Sequence, residues 1–508
     1  MPVESRSEIL RMTRSQHPRV HLPALAVAVA LASALLACSK SSSSDNAGDG
    51  GAPGDPGAIH GGGTDAGGTD AGNDRASLAA EAYVWGYALV VSERTMQTLG
   101  ALLGVNRLGN SPTLAGVASR SIVSPNQDTL YSVAVLDLRG EPMVLTVPDA
   151  TDRYWTYQFL DTWSDSVGYI GTRATQGKGG SFAITPPGFT GTLPADVEKI
   201  EATTPQMFVL GRYLIHDAAD AANVLALRRT LQPLSAVTGD AAPPPPPALG
   251  TAPGAPQDVR TLGAAFFDEL GDVLAINPPA TDADRAHLAR FASLGIGPDL
   301  HPAAAARKSD AAALTVLEDG AREGESRIDA AAHGAADAEH PWLAHLDIGI
   351  YDDDPLLRAA IAKVLWGANV PEESVYAASR VDVFGEPYNS QKRYLLHFDA
   401  ANLPPVKSDN GFWSLTLYGP DHFFTANAIN RFAIGDRTPG LAFNADGSLD
   451  IYIQSDSPRG HEDNWLPAPG PSGADWPNYG PFSLMLRFYL PEQSVLDGTY
   501  AYPSVTPN

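Results

Sequence analysis

The stretch YSVAVLDLRGEPMVLTV, residues 131–147, decides how this chain reads. Its two runs, 131–138 and 143–147, are rich in Val, Leu, Thr and Tyr, residue types that suit the pleated surface of a strand, and Gly140 and Pro142 interrupt them. Tyr154-Trp-Thr-Tyr-Gln-Phe159 follows in the same style. Beyond residue 375 the pattern returns at 394–398, 412–418, 449–453 and 482–489. Short strands separated by turn residues predict a sandwich or jelly roll. Before the first β-rich stretch, Tyr83, Val84, Tyr87, Ala88 and Val91 recur at helical spacing, which predicts an amphipathic helix over 76–100. Residues 257–275 and 355–366 read as helices between the two stretches. The expected fold class is α+β, mostly β: two β-rich domains, the carboxy-terminal one jelly-roll or sandwich-like, joined by a helical segment.

With 508 residues there is room for two or three domains, and a hydrophobic fraction of 44% supplies a large core. Lys and Arg number 34 against 58 Asp and Glu, a formal charge of −24 that repels phosphate backbones and argues against a nucleic-acid partner. The only cysteine, Cys38, can form neither an intramolecular disulfide nor a Cys-rich zinc site. It ends an apolar run, 24–37, that follows Arg6, Arg11, Arg14 and Arg19; the run suits a signal-peptide core and falls short of the ~20 residues of a spanning helix. Leu35-Leu-Ala-Cys38 resembles the lipobox of bacterial lipoproteins, in which the thiol receives the lipid. Residues 1–37 are therefore expected to be a lipoprotein signal peptide and Cys38 the lipidation site, with the membrane as partner through that lipid. Ser39 in place of aspartate points, by the same resemblance, to the outer membrane. Glu4 and Glu8 are unusual in a basic leader, so Met12 competes with Met1 as the start.

The remaining boundaries follow composition. Residues 38–75 read as a hydrated Gly/Ser/Asp tether, whose His60-Gly-Gly-Gly63 imitates an esterase motif without any rigid frame to orient its amides. Residues 76–240 form the expected amino-terminal domain, 241–256 a Pro-rich linker, 257–370 a helical connecting region with an Ala-rich insertion at 302–340, and 371–508 the carboxy-terminal β domain.

Taken together these segments resemble a bacterial family in which domain of unknown function 1254 precedes domain of unknown function 1214. The resemblance rests in the first half on Ala82-Tyr-Val-Trp-Gly-Tyr87, Ser124-Pro-Asn-Gln-Asp-Thr-Leu-Tyr-Ser132, Val147-Pro-Asp149, Arg153-Tyr154, Gly171-Thr-Arg173 and Gly211-Arg212. In the second half it rests on Gly367-Ala-Asn369, Pro371-Glu-Glu373, Val375-Tyr376, Phe412-Trp-Ser-Leu-Thr-Leu-Tyr418, Asn430-Arg431, Asn464-Trp-Leu-Pro-Ala-Pro469 and Leu486-Arg-Phe-Tyr489. Ala88 replaces an expected proline, and the 302–340 insertion is long for the family. The resemblance implies a β jelly roll for the second half and carries no mechanism.

Candidate chemistry gathers first at Asn126-Gln-Asp-Thr-Leu-Tyr131, a carboxylate, amide, hydroxyl and phenol feeding a strand. Asp128 there is a candidate base, with Asn126, Thr129 and Tyr131 as ligand contacts; the competing reading is an Asx turn. Asn464 and Trp465 set an amide beside an aromatic face suited to a glycan or flat ligand, against which stands simple packing on the prolines. Arg431 and Arg487 are candidate carboxylate clamps or inter-strand ion-pair partners. Asp446-Gly447 reads as a hairpin turn in preference to a calcium loop, and Asp352, Asp353 and Asp354 as a helix start. No zincin, nucleophile-elbow, Walker or dinucleotide motif occurs, so no metal and no cofactor are expected. The favoured function is binding of a small amphiphile or glycan in a cleft between the β-rich domains. A hydrolase using Asp128 with a His or Arg from the other domain and a jelly-roll assembly protein are the alternatives, and a homo-oligomer stays open.

Overall fold

In the computed structural model, which describes residues 67–217, 219–238, 259–334, 336–470 and 480–508, the two opening runs become neighbouring strands of different sheets. The signal peptide, Cys38, the tether up to residue 66 and the 241–256 linker lie outside the described residues. The first half runs β1 (Gly109–Asn110), β2 (Thr129–Asp137), β3 (Met143–Val147), β4 (Trp155–Asp161), β5 (Ser166–Gly171), β6 (Gly180–Thr185), β7 (Val197–Glu201), β8 (Gln206–Leu214) and β9 (Thr230–Pro233). It makes a five-stranded sheet, β1-β2-β8-β4-β5, and a four-stranded sheet, β7-β6-β3-β9. Their facing side chains, among them Leu136, Leu145, Trp155, Phe159, Phe182 and Ile184, form one core.

The second half comprises β10 (Trp342–Ala344), β11 (Ser374–Ser379), β12 (Tyr394–Phe398), β13 (Phe412–Tyr418), β14 (Ala433–Gly435), β15 (Leu449–Gln454), β16 (Trp465–Pro467), β17 (Ser483–Tyr489) and β18 (Val505–Pro507). Its sheets are β10-β11-β17-β13-β14 and β16-β15-β12-β18, packed over Val375, Leu396, Leu415, Ile451 and Leu486. The second half repeats the first strand for strand: β10 stands where β1 does, β17 where β8 does, β18 where β9 does. Even the parallel pairings correspond, β6 with β7 and β15 with β16. Both halves are thus sandwiches and neither closes into a barrel.

Each five-stranded sheet is buried on both faces, by its own partner sheet on one side and by helices on the other. That is why β4 and β13 are buried at every position and read as continuous runs, without alternation. The helix Gly67–Leu103 begins inside the stretch expected to be tether and packs on the outer face of the first sheet. The expected amphipathic stripe is absent over 79–92, where every position but Glu81 is buried. The reason is that Val133, Val135, Phe208 and Leu210 lie on one side and Phe266, Phe267, Leu270 and Leu317 on the other. The Ala-rich stretch supplies two helices, Pro302–Ser309 and Ala311–His333. Gly320 and Gly324 bring the second of these against Ala79 and Tyr83, where an added Cβ would come within 2.3 and 2.8 Å of their side chains. A further helix, Pro355–Leu365, is capped by Asp354, whose carboxylate accepts the Leu357 amide, and leads into the second half. Gly447 takes the left-handed φ of +86° in the turn before β15. No described helix is long and apolar enough to cross a membrane.

Candidate functional site

The central strand of each five-stranded sheet carries one arginine in an otherwise mostly apolar run. Arg212 in β8 lies opposite Tyr131 of β2 and Thr156 of β4. Arg487 in β17 lies opposite Tyr376 of β11 and Ser414 of β13. The two are therefore equivalent positions of the repeat, each with a tyrosine on one side and a small hydroxyl residue on the other. Both are buried, at 6% and 1% exposure, and neither has a carboxylate partner among the described residues. Stripping a guanidinium of water costs several kcal/mol, so the bonds it keeps matter.

Those bonds are reciprocal. Arg212 donates to Gln158 Oε1 and Asn369 Oδ1 at 3.0 and 3.1 Å, and to the Gly367 carbonyl at 2.8 Å. Arg487 donates to Thr416 Oγ1 at 2.9 Å, and to the Tyr418 hydroxyl and the Ser124 carbonyl, both at 2.8 Å. Each guanidinium thus reaches into the loop that precedes the opposite half's tyrosine strand. The carbonyl it meets belongs to a residue of left-handed φ, +77° at Gly367 and +49° at Ser124.

A second reciprocal pair brackets the first. Asp128, buried before β2, accepts from Arg437 at 2.8 Å and from Ser414 at 2.7 Å, both in the second half. Glu373, buried before β11, accepts from Arg173 at 2.6 Å and from Tyr154 at 2.9 Å, both in the first half. Arg173 follows Gly171 and Arg437 follows Gly435, the ends of equivalent strands β5 and β14. Tyr154, Leu214, Phe412, Tyr489 and Leu490 pack together where the halves meet, with the Phe412 and Tyr489 rings stacked 4.1 Å apart.

Beside this joint lies a cavity of about 320 Å³, of the size that small-molecule sites occupy. Arg212, Arg487, Tyr131, Tyr376 and Tyr489 line it together with Asn126, several serines and Thr113, and Leu99, Ile122, Val133, Leu210, Leu365 and Trp366 supply apolar lining. Tyr131 accepts the Asn126 amide at 2.9 Å, and Tyr376 accepts the Asn369 side chain at 2.8 Å. Neither phenol has an acceptor for its own proton among the described residues. Burial pushes the Tyr131 ionisation up, although Arg212 and Arg487 oppose it, so the phenol stays neutral and can donate. The Tyr418 phenol is likewise pushed up by burial, to about 12. No described cluster of three or more His, Cys, Asp or Glu converges on a metal-sized point.

Of the residues singled out from sequence, Asn126, Tyr131 and Arg487 line this cavity. Asp128 and Thr129 are buried beside it without lining it: Asp128 is held by Arg437 and Ser414, and Thr129 donates to Asn126 Oδ1 at 3.0 Å. The Asx geometry is also present, since Asn126 Oδ1 accepts the Asp128 amide at 2.9 Å. Arg431 lies elsewhere, bonded to the carbonyls of Glu462, Asp463 and Trp465. Asn464 fixes the Ala442 and Asp450 backbone, and the buried Trp465 donates to the Gln454 carbonyl at 2.8 Å. Arg212, Tyr376 and Tyr489 were not singled out. A lone arginine inside an otherwise apolar strand is the signal that marks Arg212.

Comparison with known proteins agrees with this division. Residues 105–233 match the family described as protein of unknown function DUF1254, and residues 373–493 match protein of unknown function DUF1214. The VPA0106 protein from Vibrio parahaemolyticus has a similar fold, at 23% identity and a TM-score of 0.60 over 85% of this chain and all (100%) of its own. An uncharacterised protein from Burkholderia cenocepacia aligns at 13% identity with a TM-score of 0.42, over 87% of this chain and 95% of its own. No curated protein matches.

Proposed function

Because this chain carries domain of unknown function 1254 followed by domain of unknown function 1214, we propose its function from the cavity where the two meet: it binds a small amphiphile bearing an anionic group. One observation carries the reading, namely that two buried arginines without carboxylate partners face an otherwise largely apolar cavity of about 320 Å³. Guanidinium is the donor best suited to a carboxylate, because its planar fork matches two oxygens at once. The apolar wall then takes the ligand's body, and the phenols of Tyr131 and Tyr376 add donors. An uncharged glycan would leave both arginines as uncompensated as before, so it is the weaker occupant.

The test is thermal unfolding of the purified protein with octanoate, decanoate and phenylacetate, beside neutral sugars of similar size. A ligand that binds only the folded state raises the melting point, by ~2.7 kcal/mol of stability at 100 times its Kd. The carboxylates are expected to stabilise and the sugars not to. Stabilisation that survives Arg487→Gln undiminished, or none from any carboxylate, would overturn the reading.

The same proposal has the protein exported and held at the outer membrane by lipid on Cys38. Its support is the arginine-flanked apolar run that ends in Leu35-Leu-Ala-Cys38. Cys38→Ala is expected to abolish labelling by an alkyne fatty acid in cells; label that persists sinks the anchor.

A further inference from the structure

Two equivalent pairs of arginines lie at the joint between the halves, and they differ in how their charge is met. Arg173 is matched by Glu373 and Arg437 by Asp128, with Asp436 also 3.5 Å from Arg437. The inner pair, Arg212 and Arg487, donate only to neutral acceptors among the described residues, and the bonds found take three of the five N–H groups of each. The nearby phenols do not make up the deficit. Burial pushes Tyr131, Tyr418 and Tyr489 up, so they stay protonated.

The deficit is also divided evenly. Each half contributes one inner arginine from the central strand of its sheet, opposite one tyrosine, fixed by one left-handed carbonyl of the other half. Both arginines and both tyrosines line the same cavity. A ligand with a single negative charge would offset one of the two buried cations and leave the other unmatched.

We infer that the cavity binds a molecule with two anionic groups, a dicarboxylate or a close chemical equivalent, one group held by Arg212 and the other by Arg487, with Tyr131 and Tyr376 as the donors that flank them. The inference rests on the ligand-binding reading above and adds the valence of the ligand. Leu210 and Trp366 then cover the spacer that joins the two groups.

The experiment is titration calorimetry of the purified protein with straight-chain α,ω-dicarboxylates from succinate to dodecanedioate, each beside the monocarboxylate of equal length. At the best-fitting length the dicarboxylate is expected to bind at least about tenfold tighter, the value of a second charge-assisted hydrogen-bond set. Arg212→Gln and Arg487→Gln are each expected to erase that advantage and leave monocarboxylate binding measurable, with melting curves showing that the variants are folded. Equal affinities for the two series in the unaltered protein overturn the two-anion ligand and leave the proposed function standing, whether or not the variants fold. An advantage lost at one arginine and kept at the other also overturns it. Binding of neither series overturns both.

Discussion

A buried charge is worth most attention where its partner can be removed, and here the partners come from opposite halves. Glu373 is 1% exposed and Asp128 8%, while Arg173 and Arg437 are each at 23%. Arg173→Ala or Arg437→Ala therefore strands a carboxylate inside the protein, which costs ~3–5 kcal/mol. The exposed pair Arg393–Asp456, at 58% and 59%, is expected to matter by ~0–1 kcal/mol when broken the same way. Urea unfolding of the three variants checks the contrast, and equal losses at all three would refute it. A different single residue governs acid behaviour. Burial, with Arg380 and His333 adding to it, lowers the His422 pKa from 6.5 to about 4. The folded protein thus favours the neutral ring, while the unfolded chain takes up a proton below about 6.5. Stability from this group is full above pH 6.5 and is lost as pH falls toward about 4. His422→Gln should flatten melting temperature against pH in that window; an unchanged slope would show that other groups set it.

Among elements, strands β5 and β14 end on glycines that nothing else can replace. A Cβ on Gly171 would lie 2.2 Å from the Trp155 carbonyl oxygen, and one on Gly435 would lie 2.3 Å from that of Trp413. Backbone cannot move aside as a flexible side chain can, so alanine at either position should cost more than ~2 kcal/mol, and more at Gly171, where a φ of +135° adds strain for any side chain. Chemical denaturation of both variants tests this; tolerance at either would refute it. Sequence revealed the long, apolar elements, since β2, β3, β12, β13, β15 and β17 each announce themselves by composition. It could not reveal β10, β16 or β18, which are three residues long and too short for any period. The helix Gly67–Leu103 looked amphipathic because Tyr83, Val84, Tyr87, Ala88 and Val91 recur at helical spacing, whereas over 79–92 the fold buries every position but Glu81. The site was half legible. Asn126, Tyr131 and Arg487 stand out as polar groups near strand starts or within strands. The pairing of Arg212 with Tyr131, and of Arg487 with Tyr376, depends on register between strands far apart in the chain, which no local pattern records.

Across the whole molecule, one core cluster draws on every region: Val133 and Phe208 from the first sandwich, Phe267 and Leu317 from the connecting helices, Trp366 and Phe423 from the approach to and body of the second. Residues 71–508 accordingly form one compact unit. Two-domain chains commonly unfold in steps. This one is expected to melt in a single calorimetric transition, with measured and van't Hoff enthalpies agreeing; two resolved peaks would show that the sandwiches come apart independently.

The reciprocal contacts between the halves are those of an isologous dimer written into one polypeptide. In a dimer of identical chains every substitution at the interface arrives twice, so a change that helps one copy must be tolerated by the other. Here it arrives once. Leu214 and Tyr489 already show the result, because equivalent positions beside the shared aromatic cluster hold an aliphatic chain in one half and a phenol in the other. The joint can therefore acquire a direction, a head end and a tail end, that no pair of identical subunits could give it.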